Sequence, residues 1–198
     1  MLIRNLASLF DHLGTASMAV PLLAIIILAI FRKDKFEIKH MIFFLYIFYI
    51  SSIQLIIFYL TFHKINNLIF VSITIPIELF ALTFILLKIF DHNALIKSSR
   101  LFLLITIIGI LFYQKNEFPL ILMISECIIL IYICLDSFNH VNNKTFEYYL
   151  ILGLLYYCSN TIILYGLLKY IPDFSRALYG LTNTALNYFY FRGILCLK

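Results

Sequence analysis

Residues 68–90 read LIFVSITIPIELFALTFILLKIF, an apolar run long enough to cross a bilayer, with Pro76 and Glu78 near its middle. A second run, residues 118–135, carries Glu126 in a similar place. Further apolar runs cover residues 13–31, 41–62, 101–113, 146–168 and 174–194. The runs are long and unbroken and lack the alternation of barrel strands, so they predict helices. The expected fold is all-α, a polytopic helical membrane protein of about seven transmembrane helices. The run at 101–113 is short for a span of about 20 residues. It must recruit residues 96–100 or sit in a thinned bilayer. Residues 1–12 read as a short amphipathic lead-in at the membrane surface, and Pro21 is expected to break the first helix early.

Between the runs lie polar stretches at 32–40 (RKDKFEIKH), 63–67, 91–100, 114–117 and 136–144. With the N-terminus outside, the inner segments hold Arg32, Lys33, Lys35, Lys39, Lys88, Lys97, Arg100, Lys144, Arg192 and Lys198, ten of the 15 basic residues. Arg4, Lys64, Lys115, Lys169 and Arg176 fall outside. The excess of inner positive charge predicts the N-terminus outside and the C-terminus inside. No linker or low-complexity tract interrupts the pattern, so residues 1–198 are expected to form a single transmembrane helical domain.

Composition agrees with the pattern. The chain is 63% hydrophobic and 13% charged, with a mean hydropathy of +0.99, well beyond a soluble domain. The net charge of +5 includes no basic block of the kind that binds nucleic acid. Cys127, Cys134, Cys158 and Cys196 lie in or beside apolar runs and form no CxxC pair, the reading being free, packed thiols.

The polar residues inside the runs mark the candidate chemistry. A carboxyl within a transmembrane helix is retained when it is neutral, paired, or facing a polar cavity. At ~1.5 Å per residue, Gln54, Glu78, Glu126, Asn160 and Asn183 fall at one depth, about 12–15 Å below the outer surface. They are the expected ligand-binding level, with Ser51, Ser52, Thr74, Ser125, Ser159, Thr161, Thr182 and Asn187 extending it or joining helices. Two glutamates at this level suit proton relay, cation binding or recognition of a neutral polar ligand. Pro76 frees the Ser72 carbonyl and is the expected hinge. Most tyrosines lie near helix ends, as an interfacial belt. Tyr49, Tyr156, Tyr157 and Tyr188 lie further in, where they would line a pocket.

Two short internal similarities stand out. Tyr49–Ile–Ser–Ser52 is echoed by Tyr157–Cys–Ser–Asn160, a parallel repeat of the kind found in small transporters. Alternatively, the stretch following Glu78 aligns without gaps to that following Glu126. The five histidines, 12, 40, 63, 92 and 140, sit at helix ends or in loops without metal-ligand spacing. No G-x-S-x-G, HExxH or glycine-rich phosphate loop occurs, so no metal site, cofactor or catalytic residue is assigned and an enzyme is disfavoured.

Pro76–Ile–Glu78 in the third helix, and Leu181–Thr–Asn183–Thr–Ala–Leu–Asn187 before a Gly193–Ile–Leu–Cys196 tail, resemble features of small seven-helix bacterial inner-membrane proteins. Phe146–Glu–Tyr148 stands where that group carries a Phe-Trp pair. The resemblance implies the fold and a bacterial inner-membrane location, and carries no activity. The expected function is small-solute or ion transport, or membrane ligand sensing, at the acidic level. The alternative is an accessory or effector subunit of a bacterial signalling or defence system, oligomeric and pore-forming. Expected partners are the lipid bilayer, a small solute, proton or cation, and a second copy or another membrane protein.

Overall fold

The computed structural model describes residues 2–31, 37–63, 68–90, 118–168 and 172–197 of the 198. Their regular structure is helical: α1 (Leu2–Ser17), α2 (Ala19–Phe31), α3 (Ile38–Phe62), α4 (Leu68–Ile89), α5 (Phe118–Phe138), α6 (Phe146–Leu168) and α7 (Pro172–Leu195). No strand occurs among the described residues. The helix expected at 101–113 lies outside them, as do most of the loops expected at 32–40 and 63–67. Two helical stretches among the described residues, His12–Ile30 and Ile38–Ile57, are long and apolar enough to cross a membrane.

The boundaries follow local chemistry. The lead-in expected at 1–12 is helical and runs on as α1 to Ser17, and the break falls at Met18 rather than at Pro21. Proline has no N–H to return to the carbonyl four residues back, and its ring crowds that carbonyl. The clash is avoided by ending α1 at Ser17, whose hydroxyl donates to the Gly14 carbonyl at 2.7 Å. Pro21 then sits in the first turn of α2, where N–H groups have no intrahelical partner. Pro172 opens α7 for the same reason, two residues before the expected start. Before α6, Lys144 adopts a left-handed φ of 67°. Thr145 then caps the helix, accepting the Tyr148 N–H at 3.3 Å.

The residues fall into two compact units, Met1–Glu37 with Cys134–Lys198, and Ile38–Ile133. In the first unit α7 is the shared neighbour, packing against α1, α2 and α6. Helices α6 and α7 run antiparallel: Gly153 meets Leu186 and Phe189, while Gly193 meets Phe146 and Tyr149. Their buried seam includes Leu150, Ile151, Leu154, Cys158, Leu186, Tyr190 and Ile194. On another face of α7, Gly14 of α1 lies against Gly180, backbone to backbone. A Cβ added at Gly14 would stand 2.8 Å from the Gly180 carbonyl oxygen.

In the second unit α3 packs on α4. Phe43, Phe44, Ile47 and Ile50 are buried on α3, and Leu79, Leu82, Ile85 and Leu86 on α4. From α5, Cys127, Leu130 and Ile133 are buried too.

The glycine crossings generate a graded expectation. Gly14→Ala drives a methyl group into backbone and should cost about 1–3 kcal/mol. Gly193→Ala meets Phe146 at 3.3 Å and should cost less. Unfolding midpoints of the two purified variants measure the order, and equal midpoints would contradict the α1–α7 contact.

Candidate functional site

Helix α4 carries one acid and a partner of the other. Glu78 is half-buried, and its Oε1 accepts from the Tyr46 hydroxyl of α3 at 3.2 Å. Tyr46 is itself buried in the α3–α4 core, 5% exposed, rather than lying in an interfacial belt. Glu126 of α5 is 2% exposed. Its Oε2 lies 2.9 Å from Thr83 Oγ1, and that same Oγ1 lies 3.0 Å from the Leu79 carbonyl oxygen. Five helical residues separate Glu78 from Thr83, about 7.5 Å of rise and about 140° of rotation. The two acids therefore engage different turns and different flanks of α4, each through its own hydroxyl.

Gln54 is half-buried on α3, in the same unit as the acids. Pro76 lies inside α4, whose helix runs unbroken from Leu68 to Ile89. Asn160 and Asn183 belong to the other unit, both half-buried. The Asn160 amide is turned onto its own helix, donating to the Tyr156 carbonyl at 2.8 Å. The residues expected at one level thus divide between the units, three in one and two in the other.

The first unit has a polar seam of its own. Asn187 of α7 donates through Nδ2 to Ser17 Oγ of α1 at 2.8 Å, close to the Gly14–Gly180 crossing. Asn187 Oδ1 and the hydroxyls of Thr161 and Thr182 are buried without a hydrogen-bond partner among the described residues. Of the tyrosines expected to line a pocket, only Tyr157 is buried, while Tyr49, Tyr156 and Tyr188 face outward. Ser51 and Ser52 donate to the Ile47 and Phe48 carbonyls of their own helix.

The partners of the acids, Tyr46 and Thr83, are the functional residues that sequence reasoning missed. Tyr46 was hidden among many tyrosines near helix ends, and Thr83 carries no motif at all. Chemically, each carboxyl beside a hydroxyl can hold, accept or pass a proton, or receive a hydrogen-bond donor. No metal-ligating cluster occurs among the described residues. Cys127, Cys134 and Cys158 are buried and form no disulfide among the described residues.

Separate partners should be visible as separate energetic couplings. A double-mutant cycle of Tyr46→Phe with Glu78→Gln should give a coupling of about 0.5–1.5 kcal/mol in unfolding free energy. A cycle of Thr83→Val with Glu78→Gln should add to within ~0.5 kcal/mol. Strong coupling in the second cycle would mean that the acids act as one cluster. Compared with protein families, with curated proteins and with solved structures, the chain matches none.

Proposed function

We propose that the chain is an integral membrane protein of about seven spans, N-terminus outside and C-terminus inside, in a bacterial inner membrane. Its acids serve small-solute or ion transport, or the sensing of a membrane ligand. The observation that carries this reading is the direction of the side chains. On α2, Val20, Leu23, Ile26, Ile27 and Ile30 are exposed, and on α3 so are Met41, Leu45, Phe48, Leu55, Ile56 and Tyr59. Meanwhile Thr74, Thr83, Glu126, Thr161, Thr182 and Asn187 are buried. In water, outward apolar stripes of this length would be patches that soluble monomers avoid. Facing lipid, they are the natural surface, and polar side chains belong inside.

Glu78 is the acid that fits contact with a solute, because it is half-buried and its partner is a phenol donor. Glu126 is enclosed and fits a role in holding or passing a proton. The effector reading draws support from the same outward stripe on α3, which a neighbouring copy would cover as well as lipid does.

The test is functional reconstitution. In proteoliposomes screened with protons, alkali cations and small polar solutes, the unmodified chain should carry a flux that Glu78→Gln lowers at least about tenfold. Tyr149→Phe, far from the acids in sequence and in the other unit, should leave that flux unchanged. Reporter fusions after Lys39, Arg100 and Lys198 should all read cytoplasmic. A flux indifferent to Glu78→Gln would remove Glu78 from the pathway, and an external Lys198 would exclude the seven-span topology.

A further inference from the structure

Thr83 Oγ1 faces two oxygens at hydrogen-bond distance, the Leu79 carbonyl at 3.0 Å and Glu126 Oε2 at 2.9 Å. A threonine hydroxyl has one proton to give and two lone pairs with which to accept. A carbonyl only accepts, and an ionised carboxylate only accepts. With Glu126 ionised, the single proton fills one contact and leaves the other as two lone pairs facing each other. With a proton on Glu126, both contacts are filled.

We propose that Glu126 is a proton-binding site of this chain. Its carboxyl donates to Thr83 Oγ1, and Thr83 in turn donates to the Leu79 carbonyl.

Two further observations agree. Ser51, Ser52 and Thr184 each donate to the carbonyl four residues back in their own helix, at 2.8, 2.9 and 2.8 Å. Thr83 placed in the same way presents its lone pairs, not its proton, to Glu126. Among the described residues of α3, α4 and α5, no lysine or arginine lies mid-helix. Their basic residues are Lys39, His40 and Lys88, each near a helix end, with His40 buried and Lys88 exposed. Glu126, 2% exposed, is enclosed where an unpaired charge is costly. At Glu78 the same count demands no added proton, because the Tyr46 hydroxyl can donate to it directly.

When Glu126 releases its proton, Thr83 must turn its hydroxyl from the Leu79 carbonyl to the carboxylate. The inference rests on hydrogen-bond arithmetic and stands whether or not the chain moves a solute.

Infrared spectroscopy of the full chain in lipid nanodiscs at neutral pH, with glutamate carboxyls labelled by carbon-13, reads the proton directly. The unmodified chain should have a protonated-carboxyl band with a component that is lost in Glu126→Gln and retained in Glu78→Gln. In Thr83→Val, where the acid loses its acceptor, the band should move to higher frequency with its intensity kept. If Glu126→Gln fails to fold, the Thr83→Val shift decides alone, and an unmoved band overturns the proposal. Absence of the band from the unmodified chain, or its survival at undiminished intensity in folded Glu126→Gln, overturns it equally.

Discussion

If the outward faces of these helices meet lipid, as proposed, polar side chains have to find their hydrogen-bond partners within the protein. Side chains that accept this constraint most simply bond back to their own helix. Ser17 reaches Gly14, Ser51 reaches Ile47, Thr184 reaches Gly180 and Asn160 reaches Tyr156. Such bonds cost the helix little and need no neighbour. An ionised carboxylate on a helix has no such option, since the backbone carbonyls beside it are acceptors like itself. Glu78 and Glu126 therefore have to borrow a donor or an acceptor from another helix, and in doing so they help fix how α3, α4 and α5 meet.

The first unit answers a different demand, close approach. Gly14 and Gly180 let α1 and α7 touch through their backbones, where dispersion contacts are dense and any side chain would force them apart. The proximity brings Asn187 to Ser17, an amide–hydroxyl bond across the same pair of helices. On the opposite seam, Gly153 admits the Phe189 side chain and Gly193 admits Phe146. Small residues at crossings and hydroxyls as cross-links are the usual means of joining helices when apolar burial alone does not distinguish one neighbour from another.

The two acids, alike in the sequence, are unlike in their settings. Glu78 is half-buried against a phenol, and Glu126 is enclosed against a threonine already committed to its own helix. A pair of equal carboxyls would be expected to compete for one proton or one cation. Acids with separate hydroxyl partners can instead divide the work, one meeting a guest and the other storing a proton.

Much of the fold was legible in the sequence. Residues 68–90, 118–135 and 146–168 became helices with boundaries moved by three residues or fewer, because long apolar runs closed by polar turns leave the backbone few alternatives. Residues 13–31 were misjudged at the break, where proline acts on the carbonyl four residues before it and ends the preceding turn. The acids themselves were also visible, as carboxyls in apolar surroundings. What only the tertiary structure decided was helix rotation. A helix that is apolar all round has no stripe to set its phase, so nothing along α4 tells which neighbour Glu78 or Thr83 will face. Packing chose Tyr46 for the one and Glu126 for the other, and so gave separate partners to acids that the sequence had led us to expect at a single depth.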